Sequence, residues 1–323
     1  MSTQLNPAVS VILPILNEER DLQECISAIL KQDYAGDLEI ILALGPSTDN
    51  TNQIAKSLAQ SDSRIKLVEN PTGKTAAALN LAIATASNEI ICRIDGHSEI
   101  SNSYIKTAVE IMNQTGAVNV GGLMQADAKY GFQSVVATAM RSKIGVGASK
   151  FHTGGEAGPA DTVYLGTFKK SAILQAGGFD EKYIRAQDWE LNHRLRLNGG
   201  VIWFDPRLVV TYRPRDTFSK LAKQYFEYGR WRRAVSREHK GTVNYRYLAP
   251  PIALIINLIS LLTGTFFNTI FFIPALVYLV AIILSSLIIG QGIYQKISLP
   301  SVLIIMHMSW GFGFLTSPKN LIN

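Results

Sequence analysis

The sequence has 323 residues, 47% of them hydrophobic and 17% charged, with 31 Lys plus Arg against 25 Asp plus Glu for a net charge of +6. So apolar a composition excludes intrinsic disorder, and the length allows one large domain or two. Cys25 and Cys92 are the two cysteines, too few for a disulfide framework or a cysteine metal cluster, and MSTQLNPAVSVILP lacks the basic stretch and long apolar core of a cleaved signal peptide.

Val9 to Pro14 is a short β-rich run, and Glu18 to Lys31 has helical periodicity, with Leu22, Cys25, Ile26, Ile29 and Leu30 on one face. Leu38 to Leu44 is a second apolar run, closed by the turn-forming Gly45-Pro46-Ser47, and a helix is expected over Asp49 to Gln60. A third strand, Ile65 to Val68, precedes Asn70-Pro71-Thr72-Gly73 and an Ala-rich helix from Lys74 to Ala86; a fourth runs from Glu89 to Ile94 and ends at Asp95. Repeated β-α units predict a parallel sheet, whose ligands bind at the carboxyl ends of the strands. The candidate site residues are therefore Asn17 and Glu18, Ser47, Thr48 and Asp49, Gly73 and Lys74, and Asp95, Gly96 and His97.

Two nucleotide-binding patterns are excluded. Gly73-Lys74-Thr75 ends like a P-loop, but Val68 stands where that motif needs its first Gly, and no G-x-G-x-x-G follows the first strand. Asp95 and His97 have the spacing of two ligands for a divalent cation, Mg²⁺ or Mn²⁺, held against a diphosphate; a turn with a solvated His is the alternative.

The charge is unevenly distributed: residues 1–206 carry −4, residues 207–246 carry +8 and residues 247–323 carry +2. From Leu248 to Ile289 no charged side chain occurs. Spanning a bilayer takes about 20 apolar residues, so two transmembrane helices are expected, at about 248–266 and 270–290. Leu299 to Leu315, which holds His307 and Trp310, is a third span or a re-entrant segment. The basic stretch before the first span directs the N-terminal domain to the cytoplasm. In DTFSKLAKQYFEYGRWRRAVSREHK, aromatic and aliphatic residues interleave with cations. That pattern suits an interfacial helix resting on membrane lipid, and its place beside the spans argues against nucleic acid.

VSVILPILNEE, GPSTDNT, Asn70-Pro71-Thr72-Gly73-Lys74 with Asn80 further on, RIDGH, AGGFDE and AQDWELNHRLR together resemble, in order and spacing, the family 2 glycosyltransferases. The basic stretch and apolar tail bring the chain closest to the membrane-anchored branch that builds succinoglycan-type exopolysaccharides. The resemblance implies an α/β fold of GT-A type: a Rossmann-like nucleotide-sugar-binding domain with a mostly parallel sheet over 1–212. Basic amphipathic membrane-interface helices over 213–246 and a transmembrane region over 247–323 follow. It implies inverting transfer of a single sugar from a nucleotide diphosphate-sugar donor to a polyprenyl-diphosphate-linked saccharide acceptor, with a divalent cation as cofactor.

By the same resemblance Pro14, Asn17 and Glu18 line the nucleoside pocket, Ser47 and Asp49 end the second motif, and Gly73 and Lys74 face the diphosphate. Asp95 with His97 holds the metal, Asp188 is the general base, and Arg230 and Trp231 form the distal R-W pair. The chain departs from the family pattern in four places. Leu44-Gly45 replaces an acidic pair, His97 an Asp, Gln187 the Glu before the base, and Glu227 the Gln three residues before Arg230. The last of these argues against processive synthesis. Gly145 to Pro159, with five glycines, is expected to be a mobile loop over the acceptor site that orders on binding, with a plain surface loop as the alternative. A polyprenyl-monophosphate sugar synthase and an inactive membrane-anchored nucleotide-sugar-binding scaffold are the alternatives. A transporter is disfavoured by spans without acid or base.

Overall fold

The computed structural model describes residues 6–322. The chain divides into two compact units, Met1–Gln125 with Gly154–Tyr212, and Ala126–Thr153 with Arg213–Asn323.

The first unit begins with β1 (Val9–Ile15), α1 (Leu22–Leu30), β2 (Leu38–Leu44), α2 (Thr51–Ser61), β3 (Ile65–Glu69), α3 (Thr75–Thr85), β4 (Ile90–Arg93), β5 (Glu99–Ile100), α4 (Tyr104–Thr115) and β6 (Asn119–Ala126). Three helices of the second unit intervene: α5 (Gly131–Met140), α6 (Lys143–Val146) and α7 (Lys150–Thr153). The first unit resumes with β7 (Gly158–Pro159), β8 (Tyr164–Lys169), α8 (Lys170–Gln175), α9 (Gln187–Leu197) and β9 (Ile202–Tyr212).

The strands form one mixed sheet in the order β3-β2-β1-β4-β8-β6-β9-β5, with β7 on β9. β3, β2, β1 and β4 are parallel, whereas β8 runs antiparallel to both β4 and β6. β1 and β2 are almost wholly buried, as expected for strands covered on both faces. Leu22, Cys25, Ile26 and Ile29 of α1 close over one face. β1 and β4 pair from Val9↔Ile90 to Ile12↔Arg93, so Pro14 lies beyond this ladder and its missing N–H removes no bond to β4. After β1 the chain turns to β2 and β3 on one side and later to β4 on the other. The topological switch point thus lies between β1 and β4, and their carboxyl ends define the crevice.

At the opposite, amino-terminal ends of the strands Glu39 of β2 is buried. It accepts from Ser10 Oγ (2.5 Å), Ser87 N (2.6 Å), Asn88 Nδ2 (3.2 Å) and Lys66 Nζ (2.6 Å). Burial alone pushes its carboxyl up, but the bonds from Lys66, Ser10 and Ser87 outweigh burial and hold it at about 2.

The second unit adds α10 (Phe218–Glu238), α11 (Tyr245–Phe266), a 3₁₀ turn (Thr269–Phe272), α12 (Ile273–Ile289) and α13 (Gly292–Thr316). Tyr245–Phe266, Thr269–Ile289 and Gly292–Thr316 are each long and apolar enough to cross a membrane. The last of these starts earlier than the expected 299 and takes Lys296 into the helix, with Pro300 inside it. α10 is a single basic helix, and its apolar stripe is already occupied by protein. Leu221, Tyr225, Trp231, Ala234 and Val235 are buried, and the crossing with α13 is so close that a Cβ on Gly229 would lie 2.0 Å from the Trp310 carbonyl oxygen and one on Gly313 2.0 Å from that of Phe226. Small residues at such crossings let backbones touch.

The segment expected to be a mobile loop is organised instead. α6 and α7 are helical turns, Gly145 is buried against Ala139 of α5, and Gly158 pairs with Phe204 of β9. Gly145 permits a close backbone approach to Ala139, and Gly147 and Gly154 have positive φ.

Candidate active site

Four strand ends converge at the switch point. Asn17, after β1, adopts a left-handed backbone (φ 56°), which costs a non-glycine residue free energy and recurs at functional sites. It is fixed by its neighbours after β2: Asn17 N donates to Ser47 Oγ (3.1 Å), and Thr48 N donates to Asn17 Oδ1 (2.8 Å). Glu18 N donates to Thr51 Oγ1 (2.7 Å), and that hydroxyl donates to Asp49 Oδ1 (2.5 Å). The Thr51 hydroxyl accordingly holds the Asp49 carboxyl below its ordinary value. Gly73, in a left-handed turn after β3, faces Pro46 and Leu16, and Lys74 stands exposed at the start of α3.

At the end of β4, His97 Nδ1 meets Glu18 Oε1 at 2.8 Å. A carboxylate only accepts, so Nδ1 donates and Nε2 carries the lone pair. The bond from Glu18 raises the His97 pKa against the opposing effect of burial. Gly96 makes this approach possible, because a Cβ there would lie 2.9 Å from Ile15 Cδ1 and 3.0 Å from Glu18 Cγ.

Arg93, the last residue of β4, is the charged group that sequence reasoning passed over. Its side chain is 4% exposed and needs counter-charges. Nε and Nη2 donate to Asp95 Oδ1 (3.2 and 3.0 Å), while Nη1 donates to Asp188 Oδ1. Asp188 is the second residue of α9, after Ala186 in a left-handed turn (φ 62°), and its side chain is 30% exposed. Burial opposes the charge on Arg93, but Asp188 and Asp95 outweigh it and raise the Arg93 pKa. Burial likewise pushes the Asp188 carboxyl above its ordinary value, with Arg93 pulling against it and Asp95 adding to it. A carboxylate of raised pKa, held in place and open to the crevice, is suited to taking a proton.

A second link passed over in the sequence joins α3 to the Gly177-Gly178-Phe179-Asp180-Glu181 loop. Asn80 Nδ2 donates to the Phe179 carbonyl (2.8 Å) and to Glu181 Oε1 (3.1 Å), and Asn80 Oδ1 accepts from Phe179 N (2.8 Å). A polar Asn within an otherwise Ala-rich helix was the available signal.

Arg230 and Trp231 belong to α10 of the second unit. Arg230 donates to Glu227 (2.9 Å), and Trp231 is buried in the helical packing.

Among the described residues no group of three or more His, Cys, Asp and Glu stands ready to hold a metal by protein ligands alone. Asp95 and His97 nevertheless fit a divalent cation that completes its shell with phosphate and water. Arg93 engages one Asp95 oxygen, and the His97–Glu18 bond has the form of the carboxylate support that orients a ligating imidazole.

Comparison with known proteins agrees with this architecture. The pattern of Glycosyl transferase family 2 matches residues 10–162. The chain is 30% identical to the succinoglycan biosynthesis protein ExoA of Rhizobium meliloti, over 94% of this chain and 93% of that protein. It is 27% identical to a dolichyl N-acetyl-alpha-D-glucosaminyl phosphate glucuronosyltransferase of Methanococcus voltae, over 95% of each. Among solved structures, the mannosyltransferase PcManGT of Pyrobaculum calidifontis, in complex with GDP-Man and Mn²⁺, shares the fold at a TM-score of 0.63 and 18% identity, covering 97% of this chain and 87% of that one. The chain belongs to glycosyl transferase family 2 and is a glycosyltransferase.

Proposed function

We propose that this glycosyltransferase moves one sugar from a nucleoside diphosphate-sugar to a saccharide carried on a polyprenyl diphosphate lipid, at the cytoplasmic face of the membrane, for exopolysaccharide or cell-envelope glycan synthesis. The observation that carries the reading is the buried Arg93 bridging Asp95 and Asp188 at the carboxyl end of β4.

Asp188 is the general base. It takes the proton of the acceptor hydroxyl as that oxygen bonds to the anomeric carbon. The bond from that carbon to the diphosphate oxygen breaks, and the nucleoside diphosphate leaves. Attack opposite the leaving group inverts the anomeric centre. Pro14, Asn17, Glu18, Ser47, Asp49 and Gly73 form the donor pocket, and Lys74 contributes positive charge toward the donor diphosphate. Asp95 and His97 would hold a divalent cation, which would supply positive charge against the leaving diphosphate. Arg93 fixes the Asp188 carboxylate and keeps its charge compensated in a partly desolvated crevice. The apolar helices anchor the protein, and the basic residues preceding α11 orient it inward. The Methanococcus voltae relative, whose name gives a dolichyl phosphate-linked sugar, supports a lipid-linked acceptor.

The test is a panel of radiolabelled UDP- and GDP-sugars with Mn²⁺ and membranes containing the protein. Label in the organic phase, released by mild acid as a saccharide larger than the transferred sugar, is expected. Label on a polyprenyl monophosphate bearing the transferred sugar alone would instead establish the monophosphate synthase. No transfer from any donor would leave a binding scaffold.

A further inference from the structure

We infer that α13 does not cross the bilayer but lies along its surface beside α10, so that the chain crosses twice, through α11 and α12, and residues 317–322 return to the side of the catalytic unit. The inference rests on the membrane anchoring in the proposed function and deepens it.

Three apolar helices of adequate length suggest three crossings. The contacts of α13 contradict that count. α10 carries Lys220, Lys223, Glu227, Arg230, Arg232, Arg233, Arg237 and Glu238 within 21 residues, and no such helix occupies a hydrocarbon core. Yet α10 grips the C-terminal half of α13. Gly229 meets Trp310 backbone to backbone, and the Phe226 and Phe312 rings pack at 5.7 Å, tilted by 36°. Arg233 lies over Phe314 at 5.1 Å. Arg237 donates to the Ser317 and Pro318 carbonyls (2.9 and 2.8 Å), and Ser317 Oγ donates to the Arg230 carbonyl (2.9 Å). Residues 306–318 therefore sit at the depth of a charged helix that precedes the first span.

α13 also bonds to helices that precede the spans in the chain. Gln295 Oε1 accepts from Thr138 of α5 (3.1 Å), and His307 Nε2 donates to the Ile144 carbonyl of α6 (2.7 Å). Between Gly292 and Met306 the helix rises only about 21 Å at 1.5 Å per residue, against a hydrocarbon core about 30 Å thick. It has no room to cross before α10 holds it. An even number of crossings must separate α10 from residue 306, and α11 and α12 supply two. The outward side chains of α13, Ile293 (74% exposed) and Ile297 (69%) with Phe312 and Leu315, then face acyl chains at the interface, while the cations of α10 face head groups.

Single cysteines at exposed positions decide the matter: Lys56→Cys in α2, Thr269→Cys between α11 and α12, and Lys319→Cys after α13. Both native cysteines are buried. The full chain is labelled with a membrane-impermeant maleimide in sealed right-side-out and inside-out vesicles. K319C is expected to label in the same vesicles as K56C, and T269C in the opposite ones. K319C labelling together with T269C would establish a third crossing and overturn the inference. All three labelling from one side would mean that the hairpin never crosses, and overturns it as well. Loss of the chain from carbonate-washed membranes would refute the anchoring itself, while leaving transfer activity separately measurable.

Discussion

The guanidinium of Arg93 donates to Asp188 with one nitrogen and to Asp95 with two others, so a single buried cation ties the proposed proton acceptor to the proposed metal carboxylate. Neutralising that cation leaves two carboxylates facing each other in a crevice of low dielectric. Arg93→Met is expected to lose about 3–5 kcal/mol of stability, the usual cost of stranding buried charge. Adding Asp188→Asn to Arg93→Met should restore part of that loss, because it removes one of the stranded charges. Thermal or denaturant unfolding of the single and double variants checks this, and strictly additive losses would contradict the coupling.

Arg93→Lys keeps the charge but not the planar fork that reaches both carboxylates. It should fold close to wild type and lose turnover while the donor KM changes little. Steady-state kinetics with the active nucleotide sugar measures the split.

Glu39 makes stability depend on acid pH. Its folded pKa of about 2 lies below the ordinary value of 4.5. Its contribution is therefore complete above about pH 5 and declines as pH falls through the folded value. The shift corresponds to about 3 kcal/mol at neutral pH. Glu39→Gln should unfold at lower denaturant at pH 7, and the gap from wild type should narrow toward pH 3. A gap independent of pH would assign the effect to packing instead.

Gly178 and Gly116 separate backbone strain from steric contact. Both have positive φ (77° and 69°), but a Cβ on Gly178 would lie 2.9 Å from Asn80 Oδ1, whereas one on Gly116 meets nothing within 4 Å. Gly116→Ala should cost about 1 kcal/mol of backbone strain. Gly178→Ala should cost more, because it also displaces the loop from Asn80, and denaturant unfolding of the two variants measures the difference.

Much of this was legible in the sequence. β1, β2 and β4 are apolar runs that end in polar residues, so both the parallel half of the sheet and the candidates at its strand ends could be read residue by residue. The antiparallel half could not. β8 and β9 pair over long separations, and β9 carries Asp205, Pro206 and Arg207 within it, which breaks any alternation. Arg93 was passed over because, inside a motif defined by its Asp, a strand-end cation reads as solvent-facing until its burial is known. Glycine content alone reads as mobility in the Gly145 to Pro159 segment, whereas Gly145 allows backbone contact with α5 and Gly158 pairs with β9. The fate of α13 depends on what α10 packs against, and an amphipathic pattern gives a helix an apolar face without saying whether lipid or protein covers it.

The central claim, that Asp188 removes the acceptor proton, is tested most directly by comparing Asp188→Asn with wild type in one preparation. Transfer of labelled sugar gives turnover, and calorimetry with UDP and GDP in the presence of Mn²⁺ gives nucleotide affinity. Turnover is expected to fall by about 10²–10⁴-fold, the usual contribution of a general base, with nucleotide affinity unchanged. Turnover within a few-fold of wild type would contradict the account.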